Sequence, residues 1–193
     1  MIKEQKYLKK AKKITDPFKR QLYIIGVLTR VLEKFNVKPV IVGGFALEFY
    51  TTGGYNTGDI DLVFPDYELL SKIMADLGFK KAGRHWISRE LDVFIEAPGS
   101  NLTEGEKRHL SRVEIDDLNV YLIGVEDLLI DRMNAYVHWK SKDDGYWVKE
   151  LIAMHKGKID RKYLLKRCKE DKTFNAFKKL EKELKGITKN EKL

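Results

Sequence analysis

Asp59 and Asp61 are the residues whose type and spacing most directly imply chemistry. They stand two apart in Thr57-Gly58-Asp59-Ile60-Asp61-Leu62-Val63-Phe64. In an extended strand, residues i and i+2 share a face, so both carboxylates point the same way. Their apolar neighbours Ile60, Leu62, Val63 and Phe64 suit a buried strand. Like charges so placed repel each other and are costly unless something cationic neutralises them. Mg²⁺ is the natural candidate, because it takes carboxylate oxygens together with substrate phosphates. Upstream, Gly43 and Gly44 break an apolar run just before a helix start. Amide N–H groups at such a turn lack intrahelical partners, and glycine lets an anion approach them closely. Each half alone is more often a tight turn or a solvated acidic edge. Together they read as phosphate-binding amides beside a metal-binding carboxylate pair.

The elements that must position these groups are legible around them. Val40, Ile41 and Val42 form a β-branched strand run, and Phe45 to Tyr50 has helical composition. Gly53, Gly54 and Gly58 punctuate the return to the acidic strand. The stretch is therefore strand, glycine turn, short helix, second turn, strand.

Gly43-Gly44 followed by Thr57-x-Asp59-Ile60-Asp61 resembles the core motif of polymerase-β-type nucleotidyltransferases. The pattern GGFALEFY…TGDIDLVF is most similar to AbiEii-like and related minimal nucleotidyltransferases, some of them toxins of toxin–antitoxin pairs. The resemblance is good over roughly residues 38–98, weaker to about 156 and absent at both ends. It implies a mixed-sheet α/β (α+β) nucleotidyltransferase core followed by a helical carboxy-terminal part. It also implies transfer of a nucleoside monophosphate from an NTP to an acceptor hydroxyl. Gly43, Gly44 and Thr57 would bind the nucleotide, ATP being one candidate. Asp59 and Asp61 would hold two Mg²⁺ ions, with Mn²⁺ as a substitute. A carboxylate on a later strand joins such a pair, sharing a metal and accepting the proton of the attacking hydroxyl. Asp92 stands where the resemblance expects it, and Glu96 is its weaker rival. Read from the residues alone, Asp92 is a polar position on an alternating strand. The resembling proteins often carry an arginine two residues before the Ser/Thr of the acidic motif. That position is Tyr55 here, so the phosphate contact would be missing or come from Arg84, Arg89 or Lys142.

The rest of the chain reads as alternating elements. Lys3, Lys6, Lys9, Lys10, Lys12 and Lys13 open it as a frayed or helical basic arm. Asp16-Pro17 starts a helix whose apolar face runs Leu22, Ile25, Leu28, Leu32, Phe35. Asp66 caps a helix that stops at Gly78. Phe79 to Ser88 reads as a strand bent at Gly83-Arg84, and Glu90 to Glu96 as a second strand. A polar loop, Pro98 to Gly105, is long enough to act as a rim or lid. Two short strands flank Asp116-Asp117. In all, a mixed sheet of four or five strands is expected. From Val125 onward the pattern is helical, which places the division at 1–124 and 125–193. In the helical part, GVEDLLIDRMNAY and Lys142-Asp143 carry a fainter family likeness, by which Lys142 would reach the triphosphate.

Composition bounds the partners. The net charge is +8 and the isoelectric point about 9.3, which favours an acidic partner such as RNA over a membrane surface. Lys178, Lys179, Lys182, Lys185, Lys189 and Lys192 repeat the basic run at the other end. The competing reading is a solvated lysine-rich face. No stretch has the length of a membrane span, and the basic start lacks the apolar core of a secretory signal. The single cysteine, Cys168, excludes an internal disulfide and agrees with a cytoplasmic setting. The four histidines show no ligand spacing, which argues against zinc. The first functional reading is thus a metal-dependent nucleotidyltransferase with RNA favoured as acceptor, and a cognate antitoxin as a further partner. The alternative is a catalytically lapsed fold that binds nucleic acid or protein. A third is transfer to a small molecule or a protein side chain.

Overall fold

The computed structural model describes residues 2–99 and 101–190. The chain divides into two compact units. One comprises Met1–Glu48 and Tyr55–Ile123, and the other Phe49–Gly54 and Gly124–Leu193.

The first unit is built on one mixed sheet. Its strands are β1 (Val40–Val42), β2 (Ile60–Val63), β3 (Lys80–Ala82), β4 (His85–Ser88), β5 (Val93–Gly99), β6 (Ser111–Ile115) and β7 (Leu118–Leu122). They lie in the order β3-β4-β5-β2-β1-β7-β6. β1 pairs antiparallel with β2 and parallel with β7, and β2 pairs parallel with β5. The sheet has seven strands rather than four or five. Phe79 to Ser88 is not one bent strand but the hairpin β3–β4, turned at Gly83 with φ of 59°. The β6–β7 hairpin, turned at Asp116-Asp117, joins the same sheet at its other edge.

Helices α1 (Ile2–Ala11), α2 (Pro17–Leu32), α3 (Gly43–Tyr50), α4 (Tyr67–Asp76) and α5 (Glu104–Arg108) complete this region. The last two residues of α3, Phe49 and Tyr50, count with the second unit. Asp16 caps α2 by accepting from the Lys19 amide at 2.8 Å, and Asp66 caps α4 through the Leu69 amide at 2.9 Å. α2 ends at Leu32, and a one-turn 3₁₀ helix follows over Glu33–Phe35. The tighter winding takes Phe35 off the apolar face, and it is exposed. Ile41, Phe45, Leu47, Ile60, Leu62, Val93, Ile95, Val120 and Leu122 are fully buried. The polar loop after Pro98 is partly helical: Thr103 and Glu106 form a capping box at the start of α5.

The basic amino-terminal arm is helical and tied down within its unit. Lys10 pairs with Asp116 at 2.7 Å, Lys12 with Glu90, and Tyr7 donates to Asp117 at 2.9 Å. Lys192 lies outside the described residues.

The helical part of the second unit is α6 (Val125–His138), α7 (Lys142–Met154), α8 (Arg161–Glu170) and α9 (Phe174–Asn190). Leu128, Leu129, Met133, Val148, Leu151, Leu164, Cys168 and Phe177 fill its core. Cys168 is a buried free thiol, and that burial raises its pKa. Among the described residues no helix is long and apolar enough to cross a membrane.

A candidate metal and nucleotide site

The site is a row of residues set by strand register. Val42 on β1 opposes Asp61 on β2, Asp61 opposes Glu96 on β5, and Glu96 opposes His85 on β4. The pairing of β2, β5 and β4 thus brings two carboxylates and an imidazole side by side. Asp59 lies one residue before β2 and belongs to the same group. One ligand atom from each of Asp59, His85 and Glu96 lies within 4.8 Å of the others. His85 Nε2 is 3.3 Å from Glu96 Oε2 and 3.6 Å from Asp59 Oδ2.

The glycine turn holds Asp61 in place. Gly43 has φ of 62°, a conformation side chains avoid, and a Cβ there would stand 2.3 Å from Asp61 Oδ2. The Gly44 amide donates a hydrogen bond to the Asp61 carboxylate. A Cβ on Gly44 would meet Thr57 Oγ1 at 3.0 Å and the Tyr55 ring at 3.3 Å. Thr57 in turn donates through Oγ1 to Asp59 Oδ1 at 3.2 Å, and its amide donates to Glu48 at 3.2 Å. The residues expected to grip phosphate are thus also those that orient the carboxylates.

Electrostatically the site favours a cation. Burial raises the pKa of Asp61, and the neighbouring Asp59 and Glu96 raise it further. Arg84 opposes this shift; its Nε donates to Glu96 Oε2 at 3.0 Å, although its side chain is 72% exposed. Arg84 is therefore the guanidinium that the site has at hand where Tyr55 replaces the expected arginine.

Gly43, Gly44, Thr57, Asp59 and Asp61 come together as the sequence suggests. Asp92 does not join them. It sits in the turn before β5 with φ of 53°, exposed, its Oδ2 3.5 Å from Arg20. β5 starts only at Val93, so strand alternation does not extend to Asp92. The path from Asp92 to Glu96 covers about 13 Å of extended chain, too far for both to share a cation. Glu96, 9% exposed, is the β5 carboxylate that lies beside Asp59 instead. Lys142 is the first residue of α7, in the second unit, where Ser141 caps the helix. His85 carried no sequence signal, because its partners come from other strands. Glu96 had one: the alternation of Glu90 to Glu96 puts it on the polar face of that strand with Asp92.

This fold is found in solved structures. An antigenic nucleotidyltransferase-like protein from Paracoccidioides brasiliensis aligns over 89% of this chain and 93% of its own, at 18% identity and a TM-score of 0.57. At that identity the likeness establishes the fold: a nucleotidyltransferase-like fold. ANT(2")-Ia in complex with adenylyl-2"-tobramycin aligns over 82% of this chain and 97% of its own, at 15% identity and a TM-score of 0.49. The Megavirus polyadenylate synthase aligns over 83% and 36%, at 17% identity and a TM-score of 0.41. Those two scores are too low to bear on this chain. The sequence matches no protein-family model and no curated protein, so the AbiEii-like assignment rests on the motif alone.

Proposed function

We propose that this protein is a metal-dependent nucleotidyltransferase that moves a nucleoside monophosphate from an NTP to an acceptor hydroxyl. The observation that carries the reading is the row Asp61–Glu96–His85 with Asp59 beside it, set against the glycine turn at the start of α3. The donor set suits a divalent cation: the Asp59 and Glu96 carboxylates and the His85 imidazole converge, and burial, then Asp59 and Glu96, raise the pKa of Asp61. Asp59, Asp61 and Glu96 would hold it, with His85 adjacent. A bound divalent ion such as Mg²⁺ would neutralise the triphosphate and stabilise the charge that develops at the transferring phosphorus.

The chain's own groups do the rest. The α3 amino terminus and the exposed Arg84 guanidinium offer positive charge to the phosphates. Gly44 and Thr57 keep Asp61 and Asp59 oriented through their hydrogen bonds. A Glu96 carboxylate oxygen accepts the proton of the acceptor hydroxyl. The hydroxyl oxygen then bonds to the α-phosphorus as the bond to the β-phosphate oxygen breaks, and pyrophosphate leaves. RNA is the favoured acceptor on charge, with a net +8 and exposed Lys6, Lys9, Lys13, Lys179 and Lys182. A role as the toxin of a toxin–antitoxin pair rests on the motif resemblance alone.

The test is incubation with each labelled NTP, Mg²⁺ and total RNA or protein. A labelled product that Asp59→Asn fails to form supports the reading. No product with any NTP, or equal product from the variant, contradicts it.

A further inference from the structure

We propose that Asp59, His85 and Glu96 form a mixed nitrogen–oxygen cation site that selects first-row transition cations over Mg²⁺. The proposal rests on the reading of this cleft as the metal site and identifies the kind of ion it takes. An all-carboxylate pair is a hard site suited to Mg²⁺, and on the motif alone Asp59 and Asp61 would form one. The sheet adds an imidazole that spacing in the sequence does not foretell. His85 is placed by its β4–β5 register opposite Glu96. Its Nε2 stands between Asp59 Oδ2, at 3.6 Å, and Glu96 Oε2, at 3.3 Å. A cation among these atoms would therefore meet one nitrogen and two carboxylate oxygens. Imidazole is a good ligand for Co²⁺, Ni²⁺ and Zn²⁺, whereas Mg²⁺ prefers oxygen and gives up its water reluctantly.

Arg84 is the group that must yield. It holds Glu96 Oε2, one of the atoms the cation needs. Its side chain is 72% exposed, so it swings into solvent, or onto a substrate phosphate, at little cost. His85 is less mobile, its side chain 27% exposed. The cation thus replaces a loosely held guanidinium and leaves the imidazole as a ligand.

The competing explanation is that His85 only bridges two carboxylates by hydrogen bonding. His85→Gln separates the two, because glutamine keeps a donor and a hard oxygen but removes the imidazole. Co²⁺ is the probe, titrated into the full chain by calorimetry with Mg²⁺ in parallel and the visible spectrum recorded. In His85→Gln, Co²⁺ affinity should fall about tenfold or more while Mg²⁺ affinity changes less than about threefold. The Co²⁺ spectrum should change with it. An equal loss for both ions, an unchanged Co²⁺ affinity, or no Co²⁺ binding to the wild type would overturn the proposal. Its failure is distinct from failure of the transferase reading. A transfer product without a His85-dependent ion preference overturns this proposal alone. An intact preference without any product overturns only the transferase reading.

Discussion

Each unit contains carboxylates that the chain has withdrawn from solvent, and Asp127 in one is treated oppositely to the Asp59–Asp61–Glu96 group in the other. In the helical unit, Asp127 on α6 is 1% exposed. Arg167 donates to its Oδ1 at 3.0 Å and the Tyr163 hydroxyl at 2.7 Å. Burial and the bond to Asp127 push the Tyr163 pKa up to about 12, so the hydroxyl stays a donor. That charge is neutralised inside the fold. In the sheet unit, Asp59, Asp61 and Glu96 face one another, and the nearest guanidinium, Arg84, is largely in water. Asp127 comes with its cation inside the fold, whereas in the proposed cation site Asp59 and Glu96 raise the proton affinity of Asp61.

The contrast breaks most visibly at the chemistry. Asp59→Asn or Asp61→Asn should reduce transfer by about a thousandfold or more while the far-ultraviolet circular dichroism stays that of wild type. Comparable activity would put the metal elsewhere. Asp127→Ala should do the reverse. It should cost about 3 kcal/mol or more of stability in chemical denaturation, because Arg167 and the Tyr163 hydroxyl lose their shared buried acceptor. A change under about 0.5 kcal/mol would mean the helical network is no structural anchor.

Gly43→Ala lies between these extremes. An alanine at φ of 62° costs about 1–2 kcal/mol, and its Cβ would displace the Asp61 carboxylate. Transfer and cation affinity should both fall, by more than the stability loss alone explains. Retained cation affinity would show that Asp61 does not need the turn.

The smallest effect is on the cation-free protein. The Asp61 pKa is raised in the folded state, so folding favours its protonated form. Stability is therefore lost as pH rises above the ordinary carboxylate range, where the unfolded chain ionises first. Asp61→Asn should melt above wild type near about pH 7 and show no such gain near about pH 3. A variant less stable than wild type at neutral pH would mean that Asp61 is satisfied without a cation.

Much of the fold was legible because its signals are local. The β-branched run Val40–Val42, the Gly43-Gly44 break and the Asp59-Ile60-Asp61 alternation each fit within a few residues. Capping at Asp16 and Asp66 was equally local. What the sequence hid depends on register between distant strands. Alternation along Glu90 to Glu96 put Asp92 and Glu96 on one face, and nothing local said that Asp92 would leave the strand at positive φ. The β2–β5 pairing is what selects Glu96. His85 was hidden for the same reason, since two strand pairings separate it from Asp61.

Asp59, Asp61 and Glu96, not Asp92, form the proposed cation–nucleotide site. Thermal melting of the wild type, Glu96→Gln and Asp92→Asn, each with and without Mg²⁺ and NTP, tests it most directly. The ligand-induced rise in melting temperature should match wild type in Asp92→Asn and be lost in Glu96→Gln. A rise that survives in Glu96→Gln and disappears in Asp92→Asn would place the site at Asp92.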